Sequence, residues 1–145
     1  MCLPGRVNGD VALLEGIMKV ILDEETRRPG RVLDRAFIAE HTSGFDEFAA
    51  ALDAVSWDEI VEQSGISRDL IKKTAQIYIK ADRVIACWAM GLRQHKNAVG
   101  TTREVVKLLL LRGHLGHPRA GGPTGPRHRT LQGARTGGSR EPAPP

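Results

Sequence analysis

Cysteine is scarce in this sequence. Cys2 and Cys87 are the only two in 145 residues, too few for a disulfide framework and short of the four thiolates that an iron–sulfur cluster takes. No apolar stretch reaches the roughly 20 residues that a bilayer-spanning helix needs, and the N-terminus carries no secretory pattern. A reducing cytoplasm is therefore the expected compartment, with no membrane partner. The five histidines form no helical metal-ligand set; His114 and His117 come nearest in spacing, and a Pro-flanked loop accounts for them. Internal repeats are also absent before residue 112.

The length suffices for one modest core, and 41% hydrophobic content suits a folded domain. The net charge of +4 is unevenly spread: residues from Arg112 onward carry +5 and residues 1–111 carry −1. The basic character thus belongs to the C-terminal end and says little about what the folded body binds. Beyond Gly121 the chain turns rich in proline and glycine and poor in apolar residues. Such a composition cannot bury enough surface to offset chain entropy. The expected organisation is a folded unit over residues 1–121 and a basic, disordered tail over 122–145.

Within the body, helical periodicity dominates. Val11, Leu14, Ile17, Met18 and Ile21 recur at helical spacing and predict a mostly buried helix over Val11–Glu24, with Asp10 as N-cap. Gly16 inside that helix costs about 1 kcal/mol relative to Ala, which predicts that something packs closely there. Glu24–Gly30 reads as a charged surface loop. Asp34 caps an expected short helix Arg35–His41, Phe45–Val55 is another, and Ser56 with Glu59 has capping-box spacing. Ser67 caps a further helix, Arg68–Lys80, in which Leu70, Ile71, Ala75, Ile77 and Tyr78 are candidates for burial. Thr101–Arg112 is the last, with Gly113 as its stop.

Between the last two helices, Arg83–Trp88 is a short apolar run of the kind that forms a strand buried on both faces of a parallel sheet. In it, Cys87 reads as a small core residue. The run ends at Met90-Gly91, where backbone can approach a ligand closely. A polar loop containing Gln94 and His95 follows. Strand, glycine corner, loop and helix make the half-unit with which α/β sheets build ligand sites beyond their strand ends.

Four stretches resemble the large subunit of molybdopterin-dependent oxidoreductases, in the branch similar to formate dehydrogenase alpha subunits. They are Trp88-Ala89-Met90-Gly91 with Gln94-His95, then Leu108–Gly113 with Leu115-Gly116, Pro118 and Ala120-Gly121, and upstream Arg6–Leu14 and Phe37–Thr42. The resemblance covers roughly Val7 to Gly121. It implies a partial Rossmann-like, three-layer α/β unit, helix-rich, contributing part of a cleft for molybdopterin guanine dinucleotide with molybdenum. Met90, Gly91, Gln94 and His95 would then face the cofactor, with Gly113 and Gly116 shaping the corner. The family's iron–sulfur cluster finds no support in this chain. Expected partners are the cofactor, the remainder of a large subunit and an electron-transfer protein.

The family also carries an Arg beside its metal in an Arg-Gly-His-x-Asn-Val-Gln-Gly motif. Laying Leu131-Gln132-Gly133 on the end of that motif puts His128 on its His. It also puts Pro126 where the Arg belongs and Thr130 where the Asn belongs. Proline cannot hold a charge beside an anionic substrate. No catalytic residue and no metal ligand are therefore assigned, and the chain alone is expected to be an inactive fragment. Two other readings stand beside this one. Asp58–Ala75 fits a helix-turn-helix whose second helix, with Ser67, Arg68, Lys72 and Lys73, could enter a major groove. Its acidic first helix argues against nucleic acid as a partner. Alternatively, the chain is an interaction fragment with no ligand.

Overall fold

The computed structural model describes residues 1–88, 92 and 98–115. Six helices account for most of these: α1 (Asp10–Arg27), α2 (Arg35–His41), α3 (Phe45–Ala54), α4 (Trp57–Ser64), α5 (Arg68–Lys80) and α6 (Ala98–Leu110). α1 is the axis. α3, α4, α5 and α6 all pack against it, so its buried residues run almost around its circumference: Ala12, Gly16, Ile17, Met18, Lys19, Val20, Ile21 and Glu25. A helix apolar on most sides has to be surrounded in this way. Ile60 of α4, Ile71 and Ala75 of α5, Leu52 of α3 and Leu111 after α6 close the core around it.

The close packing expected at Gly16 is present. A Cβ on that residue would lie 2.9 Å from Ile60 Cγ2 and 3.1 Å from Ile71 Cγ2. The caps follow the expected chemistry at α2, where the Asp34 carboxylate accepts from Phe37 N at 3.0 Å, and at α4, where Ser56 Oγ accepts from Glu59 N at 3.1 Å. Glu59 in turn accepts from Gln63 Nε2 at 2.9 Å. α1 differs at both ends. Gly9, not Asp10, is its N-cap, and only a residue without a Cβ fits there, since a Cβ would come within 2.6 Å of Gln63 O. At the other end, Arg28 N reaches Glu24 O at 2.9 Å, so the helix runs on through residues expected to be a loop.

The strand expected over Arg83–Trp88 is corrected. Among the described residues no strand forms, only an isolated bridge residue at Ile85. Ile85 is 52% exposed and Cys87 is exposed rather than buried. A short apolar run becomes a buried strand only when neighbouring strands flank it, and the described residues supply none. The described architecture is thus helical. The proposed tail, 122–145, lies outside the described residues. No helix among them is long and apolar enough to cross a membrane.

Candidate functional site

Of the six expected site residues, Met90, Gly91, Gln94, His95 and Gly116 lie outside the described residues. Gly113 is described, and its surroundings define the one corner of the site that can be built from the residues up. Its φ of 62° is left-handed, a conformation that glycine adopts without a Cβ penalty. Gly113 N donates to Leu110 O at 3.1 Å and His114 N to Leu109 O at 2.9 Å. This pair of bonds is a Schellman cap. The next carbonyl, Leu111 O, accepts from Asp34 N at 3.0 Å. The last carbonyls of α6, which no helix can satisfy internally, are thus occupied by the chain itself.

One side of this corner is closed. A Cβ on Gly113 would sit 2.7 Å from Asp34 Oδ2 and 3.3 Å from Phe37 Cγ. Gly113 therefore ends α6, as expected, and the space beside its α-carbon is taken by Asp34 and Phe37. On the other side stands α5. The Tyr78 hydroxyl donates to Leu108 O at 2.7 Å, and its ring meets that of His114 edge-on at 5.7 Å. Burial pushes the Tyr78 phenol above its ordinary range, with Arg112 acting in the opposite sense, so the hydroxyl stays a donor. Arg112 Nη1 donates to Tyr78 O at 3.2 Å and also to Ile79 O, the last carbonyls of α5. Two chain exits are thereby brought together: the segment that leaves α5 toward residues 81–88, and the turn that leaves α6 past Gly113.

Sequence reasoning named Tyr78 only as a candidate for burial and missed the role of Arg112. It also missed Glu25, expected in a surface loop but only 2% exposed. That carboxylate accepts from the backbone N–H groups of Gly30 at 2.8 Å and of Val32 and Leu33 at 3.1 Å. Arg35 Nε donates to it as well, at 2.8 Å. Burial works against its charge, but the donors at Gly30, Arg35, Leu33 and Val32 prevail and hold its pKa at about 2. The signal was present: Glu25 falls four residues after Ile21 on the buried stripe of α1.

Two clefts open elsewhere on the body. One, of about 600 Å³, is lined by Lys19, Glu25, Arg35, Phe45, Leu52 and Asp53 among others. Its buried charges are engaged within the protein: Lys19 Nζ donates to Leu52 O at 3.1 Å and Asp53 O at 2.7 Å, closing the end of α3. The other, about 420 Å³ and mostly apolar, lies between α2, α3 and the end of α6. Neither contains an expected site residue. No group of three or more His, Cys, Asp or Glu among the described residues could hold a metal ion.

The residues expected to enter a DNA groove lie on α5, where Arg68, Lys72 and Lys73 are exposed. The Arg68 guanidinium stacks 4.5 Å over the Trp57 ring. α4 and α5 each pack chiefly on α1, and α4 exposes Asp58, Glu59 and Glu62, so the two-helix surface is mixed in charge.

No family model matches the chain. It is 40% identical over 139 residues to an uncharacterized oxidoreductase of Mycobacterium tuberculosis, a match covering 96% of this chain and 18% of that protein. It is 38% identical over 140 residues to the protein YdeP of Escherichia coli, covering 94% of this chain and 18% of the other. Against formate dehydrogenase H of Escherichia coli it is 31% identical over 112 residues, covering 77% of this chain and 15% of the enzyme. The chain thus spans less than a fifth of the length of these curated relatives.

Proposed function

The chain belongs, as a stretch matching less than a fifth of their length, to the family of oxidoreductases that includes formate dehydrogenase H, and on that premise we propose that it forms one wall of a cleft for molybdopterin guanine dinucleotide. In this reading the helical body is one part of a larger α/β domain, and the remainder of the large subunit supplies the other walls. Met90, Gly91, Gln94 and His95 face the cofactor, while Gly113 and Gly116 turn the chain beside it. The donor set suits such a group. Glycine backbone lets a flat heterocycle approach, and an amide and an imidazole can both donate and accept at its edges.

When bound, the cofactor supplies a molybdenum centre that takes two electrons from a substrate; the protein's part is placement and electrostatics. This chain carries no residue assigned to the chemical step. The observation supporting the reading is the convergence of two chain exits, after α5 and after α6, at the Arg112–Ile79 bond. One exit leads to the Met90–His95 loop and the other passes Gly113.

The test is a titration of the isotopically labelled chain with GMP, the nucleotide half of the cofactor, followed by NMR. Shifts confined to residues 89–97 and 113–116 are expected. Saturating GMP that leaves those signals unmoved overturns the reading.

A further inference from the structure

We propose that Tyr78 and Arg112 are positioning residues, forming a reciprocal clasp that sets the spacing between the two chain exits on which the cofactor contacts sit. The inference rests on the cofactor-wall reading above and adds to it the residues that hold the wall in shape. Each partner reaches across to the other helix's end. Tyr78 of α5 donates its hydroxyl to Leu108 O of α6 at 2.7 Å. From just beyond α6, Arg112 returns hydrogen bonds to Tyr78 O and Ile79 O.

The turn that ends α6 is completed without Arg112, while the Tyr78 hydroxyl serves Leu108 O, the carbonyl just before that turn. The Schellman pair at Gly113 and His114, with Asp34 N on Leu111 O, already occupies Leu109, Leu110 and Leu111. What Tyr78 and Arg112 add is a cross-link. α5 and α6 both pack chiefly on α1, so contact with each other does little to fix their relative position. The clasp does so through charge-assisted and phenolic hydrogen bonds to backbone, which are short and directional. A cationic side chain at the end of α5 also matches the partial negative charge there. The exit to residues 81–88 and the exit past Gly113 are therefore joined through the Arg112 side chain. Small misplacements of ligand-holding groups have large consequences, so loosening the clasp acts on both exits at once.

The experiment measures GMP affinity by NMR titration for the intact chain and for Tyr78→Phe, Arg112→Ala and Arg112→Lys, with thermal unfolding of each in parallel. Ile21→Val, a change at a fully buried core residue that makes neither clasp bond, serves as a control for lost stability. Affinity is expected to fall about tenfold in Tyr78→Phe and Arg112→Ala, within the usual range for coupled sites. Arg112→Lys should recover part of the loss, and Ile21→Val should bind as the parent does. Unchanged affinity in both clasp variants overturns the clasp and leaves the cofactor reading standing. An equal loss in Ile21→Val overturns it too, by reducing the effect to general destabilisation. A parent chain that does not bind GMP removes the cofactor reading and the clasp's role together.

Discussion

Gly16 of α1 and Ile60 of α4 stand so close that a single added carbon would collide: the Cβ of an alanine at 16 would lie 2.9 Å from Ile60 Cγ2. Ile71 of α5 crowds the same point at 3.1 Å, and both isoleucines are fully buried. Gly16→Ala sets two effects against each other. Helix propensity favours Ala by about 1 kcal/mol, whereas overpacking a tight core costs about 1–3 kcal/mol. A branched Cγ2 held by the core cannot swing away as a flexible chain end would, so overpacking wins. Gly16→Ala is expected to lower stability by about 1 kcal/mol net. Urea denaturation that finds the variant more stable than the parent would refute the packing at this crossing.

Glu25 holds the loop after α1 by gathering three backbone N–H groups and Arg35. Its side chain is 3% exposed and that of Arg35 is 61% exposed, and the asymmetry decides which contact matters. An exposed guanidinium contributes little, under about 1 kcal/mol. Removing the carboxylate strands buried amides at about 1–3 kcal/mol each. Glu25→Ala is therefore expected to destabilise by about 3 kcal/mol or more, and Arg35→Ala by less than about 1 kcal/mol. Denaturation midpoints showing equal losses would contradict this division.

The same carboxylate gives a pH dependence whose sign follows from its depressed pKa. In the unfolded chain it titrates near its ordinary 4.5 and in the folded chain at about 2. The folded state thus binds fewer protons in that window, and its stability falls as pH falls. The contribution is complete above about 4.5 and is lost as pH drops toward 2. Unfolding free energy measured from pH 6 to pH 2 should fall more steeply for the parent than for Glu25→Gln. Parallel curves for the two would refute it.

Local chemistry in the sequence foretold the helix ends better than it foretold the partners of distant residues. Asp34 and Ser56 cap where their side chains can reach an N–H three residues on, and Gly113 stops α6 where a left-handed residue is required; these are contacts within one turn. Gly16 announced a close crossing, because an unfavourable residue in a buried helix needs a packing reason. The strand at Arg83–Trp88 failed because an apolar run does not say whether other strands flank it. α6 starts at Ala98 rather than at the expected Thr101; Asn97, a residue type favoured at N-caps, directly precedes it in the sequence. The clasp stayed hidden for a further reason. Tyr78 and Arg112 bond to backbone carbonyls 30 or more residues away, and a carbonyl has no side-chain identity to leave a trace. Of the candidate site, only the turn at Gly113 was legible and is also described.

The turn at Gly113 joins a conformational demand to a steric one. A non-glycine residue at φ 62° pays about 1–2 kcal/mol, and Asp34 Oδ2 stands where the new Cβ would go. Gly113→Ala is thus expected to lose about 2 kcal/mol or more. Asp34→Ala removes the cap of α2 at about 1 kcal/mol and also vacates that space. The double variant should therefore be less destabilised than the sum of the two single changes. A cycle of thermal or urea unfolding that finds the two strictly additive would show that the carboxylate and Gly113 are not in contact.

Glu15 on α1 presents the opposite case to Glu25. Burial raises its pKa, the Glu104 carboxylate raises it further and Lys107 partly offsets both, with Glu59 a smaller repulsive contribution. Glu104 is itself 8% exposed and paired with Lys107 Nζ at 2.6 Å, so both charges act on Glu15 and the lysine offsets only part of the upward shift. A carboxyl whose folded pKa lies above its unfolded value takes up its proton earlier in the folded state. Between those two values the folded chain binds more protons, and stability falls as pH rises through the window. Above that window the Glu15 charge therefore works against the fold. Replacing it with glutamine keeps the shape and removes the repelled charge, so Glu15→Gln is expected to be more stable than the parent at pH 7. That advantage should shrink as the pH is lowered and the parent's carboxyl becomes neutral. Added salt should narrow it too, since the repulsion from Glu104 is partly screened. Urea unfolding of both proteins at pH 7 and at pH 4 makes the comparison; a variant less stable than the parent at pH 7, or a gain that grows in acid, would rule out a Glu15 carboxyl held above its ordinary pKa by burial and by Glu104.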